Sequence, residues 1–269
     1  MARPFGVAAP GNTGGLATIG GVGVSRSAGG GLTPLPVTGT TDLHLVADDW
    51  SGSGNWASRY GGYTATVTGT PTKGSSAQFP GRSEVTGITT ANYFKIAAAA
   101  AHTVQLTDTI TYELIVKTPT TWTASATPFG YFSTGATQIL NAAYLNNSSG
   151  DGESAVYDSL ATSRYLGSTF VAGYQMSAKY NLITLVMDIA APRWEFYING
   201  VSIFTDTATT ATLLPTNTPL GIGGRWNQNS GVMQAPWEGA IVEVMRHREA
   251  FSDATVAARA ATFNTLKGY

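Results

Sequence analysis

Beyond residue 41 the chain breaks into short apolar runs separated by clusters of Gly, Asn, Asp, Pro and Ser, the punctuation of an all-β domain. Thr109-Ile110-Thr111-Tyr112-Glu113-Leu114-Ile115-Val116-Lys117 alternates at period two and stops at Thr118-Pro119, which predicts a core strand. Residues 182–189 form a second apolar run and Trp194-Glu195-Phe196-Tyr197-Ile198 a third. Asn199-Gly200 joins that third run to Val201-Ser202-Ile203-Phe204. Both linking residues accept positive φ, so the pair predicts a tight hairpin. Residues 220–225 and 240–247 predict further strands, the latter with Ala240, Val242 and Val244 on one face and Ile241, Glu243 and Met245 on the other.

After the last strand the period changes. Ser252 is placed to cap a helix, Phe251 to pack on Val256 as a hydrophobic staple, and Val256, Ala260 and Phe263 to continue an apolar stripe that stops near Gly268. Ahead of the strands, residues 1–40 show no hydrophobic period. Glycines, including Gly29, Gly30 and Gly31, alternate there with prolines, and Arg3 and Arg26 are the segment's charged side chains. Such a segment buries too little to fold by itself. It predicts an extended N-terminal arm that reaches on the order of 130 Å when stretched, enough to cross a neighbouring subunit.

Composition narrows the classes of partner. Charged residues make up 12% of the chain and the formal net charge is −1, so no basic field gathers phosphates or anionic lipid. Nucleic acid and membrane are therefore not expected partners. No stretch is long and apolar enough to span a bilayer, and Met1-Ala2-Arg3-Pro4-Phe5-Gly6 lacks the apolar core of a secretory signal, which predicts a soluble protein made without export. The absence of cysteine excludes disulfides, thiolate nucleophiles and cysteine-ligated zinc.

Several motifs, in their order, resemble one family. Leu43-His44-Leu45 opens into Asp48-Asp49-Trp50, then come the Trp56-Ala57-Ser58-Arg59 loop and the strand at 110–117. Trp194-Glu195-Phe196-Tyr197-Ile198-Asn199-Gly200, Leu220-Gly221-Ile222-Gly223-Gly224-Arg225, Trp237-Glu238-Gly239-Ala240-Ile241-Val242-Glu243-Val244 and Phe251-Ser252-Asp253 complete the series. The chain from about 41 to 267 is similar to the laminin-G-like, concanavalin A-like jelly rolls common in phage virion proteins and adhesion modules. That resemblance implies a two-sheet antiparallel jelly-roll sandwich over residues 41–269, with the arm at 1–40 outside it and a short C-terminal helix.

The fold hosts lectins, glycosidases and structural proteins alike, so function has to come from sites. Glycosidases resembling the endoglucanases of this fold carry Glu-x-Asp-x-x-Glu on one strand, and the chain lacks that motif. Glu243 and Glu249, with Arg246 and Arg248 between them, read as solvated edge charge, and His44, His102 and His247 as ordinary surface or strand residues. Gly221-Ile222-Gly223-Gly224 lacks the lysine and helix of a phosphate loop and reads as close backbone packing. Oxygen-rich loops are the remaining ligand candidates: Asp48, Asp49 and Asp151 as weak calcium ligands, and Asn146, Asn147 and Asn227 as hydrogen-bonding partners for a sugar. Trp50, Trp56, Trp226 and Trp237 are candidate stacking surfaces. The same residue types also suit plain turns and core plugs.

Arm and resemblance together predict a non-enzymatic, cofactor-free bacteriophage virion structural protein. A capsid-decoration (cement) protein or a head or tail appendage fits best. It would be a homo-oligomer anchored to the major capsid protein or tail proteins through Arg3, Phe5, Arg26 and Gly29 to Gly31. The alternative is a receptor-binding or carbohydrate-binding module of a phage fibre or adhesin that reads host surface glycan.

Overall fold

The computed structural model describes residues 34–98, 109–118, 126–132, 139–145, 152–157, 163–166, 179–188, 191, 193–206, 219–228 and 230–267. In chain order the strands are β1 (Thr41–Val46), β2 (Trp56–Ala57), β3 (Thr64–Thr68), β4 (Thr72–Ser75), β5 (Ser83–Thr86), β6 (Tyr93–Ile96), β7 (Thr109–Lys117), β8 (Phe129–Phe132) and β9 (Ile139–Leu145). They continue as β10 (Gly152–Tyr157), β11 (Ser163–Leu166), β12 (Tyr180–Asp188), β13 (Arg193–Ile198), β14 (Val201–Asp206), β15 (Leu220–Ile222), β16 (Arg225–Asn227), β17 (Val232–Gln234) and β18 (Ala240–His247). The helix α1 (Asp253–Leu266) follows.

Two large sheets form the sandwich. One runs β14-β13-β12-β7-β18-β5-β4, with β1 also paired to β18; the other runs β17-β16-β8-β15-β6-β3-β2, and β9, β10 and β11 form a small antiparallel ladder. Among the described residues pairing is antiparallel except between β8 and β16. The main core lies between the large sheets, where Tyr112, Leu114, Leu185, Phe196 and Val244 from one meet Trp56, Phe94, Phe129 and Ile222 from the other.

The expected strands at 109–117 and 194–198 and the helix appear in place. Asn199 and Gly200 take φ of 52° and 80° in the β13–β14 hairpin, as the turn requires. Ser252 Oγ accepts the Thr255 N–H at 3.2 Å, and Phe251 and Val256 share one buried cluster, so cap and staple both form. Helix α1 explains the unbroken run on β12. With Leu35, Phe79, Ala260, Phe263 and Leu266 packed over Ile115, Leu182, Val242 and Met245, the central strands are buried on both faces and have no need of polar alternation.

Three expectations change. Residues 220–225 fall in two strands: β15 ends at Ile222, and Gly223, with φ of 83°, turns the chain before β16 begins. The glycines there allow close backbone approach, since a Cβ on Gly221 would lie 2.6 Å from the Gly224 carbonyl oxygen. The alternation predicted for β18 fails at a bulge between Ile241 and Glu243. Ile241 and Val244 face the inter-sheet core, whereas Val242 and Met245 face the helix. Finally, residues 34–40, counted with the arm, pack against the sandwich, so the folded body begins before residue 41.

Candidate functional site

Strand parity puts an unusual set of charges between the eight-stranded sheet and its helix-side cover. Glu113 on β7 and Glu243 on β18 are 0% exposed, and His44, His247, Arg82 and Arg259 are buried with them. Burying a carboxylate costs several kcal/mol unless cations and hydrogen bonds replace its water, on the order of the Born penalty softened by relaxation. Glu243 is so compensated through both oxygens, Glu113 through Oε2 alone, its buried Oε1 having no hydrogen-bond partner. Glu113 accepts from His247 Nε2 at 3.0 Å and pairs with Arg259. Glu243 accepts from His44 Nε2 at 2.7 Å and from Arg82 Nη2 at 3.2 Å. Burial pushes the Glu113 carboxyl up, but the Arg259 charge and the hydrogen bonds from His247 and Arg259 outweigh it and hold it below the usual carboxylate value. Glu243 is thus buried rather than solvated edge charge, and His44 and His247 are strand residues, as one of the two readings had them, but buried ones paired to carboxylates. The helix and the segment at 34–40 cover an outer sheet face that a one-dimensional pattern leaves open to water. Arg246 is buried too, held by two bonds to Asp42 at 2.7 and 2.8 Å.

Residues 34–40 form a strap tied to both clusters. The Leu35 N–H donates to Glu243 Oε1 at 3.1 Å, and Arg259 Nη1 donates to the Pro36 carbonyl at 2.8 Å. Thr41 Oγ1 lies 2.9 Å from His247 Nδ1, and Thr40 Oγ1 donates to Glu249 at 2.6 Å. The point from which residues 1–33 depart is thus fixed by buried, charge-assisted bonds.

Beside the strap lies an exposed aromatic. Tyr60 is 40% exposed and stacks on His44 with ring centroids 6.1 Å apart and planes 19° from parallel. Its loop is pinned to β1: Arg59 N–H donates to the His44 carbonyl at 2.9 Å, His44 N–H donates to Ser58 Oγ at 2.9 Å, and that hydroxyl donates to the Tyr60 carbonyl at 2.7 Å. Gly61 has φ of 71°, and a Cβ there would fall 1.9 Å from the Asp42 carbonyl oxygen, so the loop can hug β1 only with glycine. Arg59, the preceding residue, binds Asp49 through Nε and Nη2 in a fork at 2.5 and 2.8 Å. The Asp49 hydrogen bond raises the Arg59 pKa, against partial burial, with Asp49, Glu243 and Asp48 adding Coulombic support.

The residues singled out from sequence fare differently. Trp50, Trp56 and Trp237 are not stacking surfaces; they are core, at most 1% exposed, with indole N–H groups donated to the Gly54, Val46 and Ala240 carbonyls. Their bulk closes the sandwich around Phe94, which Trp50 and Trp56 meet at 5.0 and 5.3 Å. Trp226 lies on the outside of the seven-stranded sheet with Tyr93 and Met233, but is only 8% exposed and has the Lys95 ammonium 4.0 Å above its ring. Asn227 Oδ1 accepts the Ser230 N–H in a turn. Asp48 and Asp49 do not converge on a cation: Asp48 is taken by Arg82 and the Ser83 N–H, Asp49 by Arg59. Among the described residues no three His, Cys, Asp or Glu side chains are grouped to hold a metal. Asn146, Asn147, Asp151, His102, Arg3, Phe5, Arg26 and Gly29 to Gly31 lie outside the described residues. Sequence reasoning missed Tyr60, although Arg59 next to it was in view. A tyrosine between Ser-Arg and Gly-Gly carries no period that marks exposure.

Residues 89–257 match the concanavalin A-like lectin/glucanases superfamily, in its Laminin_G_3 family, and the chain belongs to that superfamily. No curated protein matches the chain in sequence. Among solved structures it resembles domain 4 of AbnA, a GH43 extracellular arabinanase from Geobacillus stearothermophilus in complex with arabinotriose (TM-score 0.61, 16% identity, 82% of this chain and 98% of that one). It also resembles botulinum neurotoxin type C, whose cell entry depends on interaction with two ganglioside molecules (TM-score 0.58, 10% identity, 84% and 51%). Trypanosoma rangeli sialidase in complex with sialic acid is a third (TM-score 0.56, 11% identity, 87% and 34%). The chain spans about half of the neurotoxin chain and a third of the sialidase chain. At these identities the likeness is one of fold. Among the described residues no helix is long and apolar enough to cross a membrane.

Proposed function

We propose that the chain is a non-enzymatic carbohydrate-recognition module, tethered to a larger assembly by its N-terminal arm. The observation that carries this reading is the exposed Tyr60 ring, stacked on His44 and preceded in the chain by Arg59, which forks onto Asp49. A rigid aromatic face beside paired donors and acceptors is how proteins hold the apolar face and hydroxyl rim of a sugar. The ligands named for the structural neighbours, arabinotriose, gangliosides and sialic acid, are in keeping with it. The non-catalytic part is supported by the fate of the buried carboxylates: Glu113 and Glu243 are each neutralised by an arginine and a histidine, whereas a glycosidase acid needs a proton to give. Binding of oligosaccharides measured by calorimetry, with reducing ends assayed in parallel, tests both parts. Saturable binding without cleavage is expected; release of reducing sugar would overturn the non-enzymatic reading.

A second reading, favoured by the strap, is a structural role in a bacteriophage virion, as a capsid-decoration protein or a head or tail appendage. Buried charge-assisted anchorage where the arm departs suits a segment that bears load. Residues 1–33 would then contact capsid or tail proteins, and many weak contacts repeated over many copies would supply avidity. Deleting residues 2–33 is expected to leave the melting temperature unchanged and abolish incorporation into particles. Normal incorporation of the truncated protein would refute the anchoring role.

A further inference from the structure

We propose that the face carrying α1 is the contact surface of a two-fold dimer, in which two copies of the chain lay their terminal helices antiparallel and Asp253 of each meets Lys267 of the other. The proposal stands beside both readings of function and depends on neither. Its first ground is charge complementarity. At the start of α1 three carboxylates, Asp188, Glu195 and Asp253, stand against Arg193. At its end Lys117, Lys179 and Lys267 stand against Glu238 and against Glu84, which is buried and takes the Tyr180 hydroxyl. The face is acidic at one end and basic at the other, so a second copy turned end for end meets it with opposite charge at both ends. The charges at the helix ends are available. Arg193 and the Tyr197 hydroxyl both bind Asp253 through Oδ1, and the Asp253 side chain is 78% exposed. Lys267 lies over the Phe263 ring at 4.0 Å and pairs with no carboxylate among the described residues; burial and the nearby Lys179 push its pKa down to about 8, a cost that a carboxylate from a partner relieves.

The second ground is helix geometry. From 253 to 267 the chain takes fourteen steps, about 21 Å along the axis and about 40° around it, so Asp253 and Lys267 sit at opposite ends of one flank. A two-fold axis across the helix midpoint exchanges the ends and keeps the flank. It therefore brings Asp253 to Lys267 twice, once on each side of the axis. Parallel helices would instead set like charges together. The third ground is the surface between those two residues. The positions of α1 turned away from the sheet are Ala254, Ala257, Ala258, Ala261, Asn264 and Thr265, all exposed and none charged. A helix on the outside of a domain ordinarily shows charged side chains there. Side chains this small let two helix axes approach to about 8 Å, and alanine has no rotamer freedom to lose when it is covered.

The test is sedimentation equilibrium of the full chain, from micromolar to millimolar concentration, at low and at high salt. A monomer–dimer equilibrium is expected, with a dissociation constant that rises about tenfold on adding salt, as contacts between exposed charges require. Ala258→Glu places a bulky charge at an exposed position of the contact and should leave the chain folded and monomeric, with circular dichroism checking the fold. Asp253→Lys and Lys267→Asp should each be monomeric alone, because each sets like charges against one another twice. Glu195 still holds Arg193 in the first of these. An equimolar mixture of the two variants should dimerise again, since every contact across the axis then joins opposite charges; a purely structural role for either residue gives no such rescue. A wild-type chain that stays monomeric at every concentration would overturn the proposal. So would a dimer that Ala258→Glu leaves intact, which would place the contact on another face, and so would folded charge variants that mixing fails to restore.

Discussion

Glu243→Gln tests whether the strap-side charges are as buried as the fold makes them. The substitution keeps the shape and an acceptor for the Leu35 N–H, but removes the charge that faces Arg82 and His44. Arg82 is 2% exposed and would be left with Asp48, which is itself partly exposed, as its one ion-pair partner. Removing one member of a buried ion pair costs 3–5 kcal/mol in general, and the surviving Asp48 contact and the retained amide acceptor place this loss near the lower end, about 3 kcal/mol. For a domain of this size that corresponds to a melting temperature lower by about 6–12 °C. Thermal and urea denaturation measure it, and hydrogen exchange at the Leu35 amide reports whether the strap loosens first. A loss under about 0.5 kcal/mol, the range of an ordinary surface substitution, would mean that Glu243 is solvated and that the strap does not depend on it. Glu249→Gln is the matched control: its carboxylate is partly exposed, and its removal should cost less than about 1 kcal/mol.

Two further outcomes follow from the same pairings and packing. Glu113, Asp42 and Glu249 all have carboxyl pKa values below the usual 4.5, 3.8 and 4.5: burial raises each, but is outweighed by Arg259 and His247 at Glu113, by Arg246 and Arg248 at Asp42, and by the threonines of residues 38 and 40 with His247 and Arg259 at Glu249. The unfolded chain therefore takes up these protons first as pH falls; stability from the three should be complete above about pH 5 and decline through the acid range to the lowered native values, as urea unfolding at stepped pH would show. Stability that stayed flat from pH 6 to 3 would contradict the pairings. Gly200→Ala should destabilise by about 1–2 kcal/mol, because the position has positive φ and an added Cβ would sit 2.5 Å from the Ala260 Cβ on α1. An unchanged denaturation midpoint would show that hairpin and helix are not in contact.

The strands at 109–117 and 194–198, the Asn199-Gly200 hairpin and the capped terminal helix were legible in the sequence because each rests on local rules: alternation, positive φ, and a serine one residue ahead of the first turn. Chain order and the resemblance then pointed to the sandwich. The site was hardly legible. Asp49 and Arg59 were both in view, but their fork joins residues from different elements, and the Tyr60 ring finds a stacking partner only because β1 places His44 beside it. The tryptophans misled for a related reason: composition marks a large aromatic, whereas only packing decides whether its face meets solvent or Phe94.

The sequence by itself determined that this is an all-β chain of short strands with a capped terminal helix and a glycine-rich start, since those properties depend on the backbone preferences of neighbouring residues. Tertiary structure alone decided that the outer sheet face is covered, so that Glu113 and Glu243 are core residues, that the bulge in β18 turns Ile241 inward and Val242 toward the helix, and that residues 34–40 belong to the folded body. Burial and electrostatic pairing depend on groups as many as 223 residues apart, as between Pro36 and Arg259, and no local pattern encodes which of them will meet.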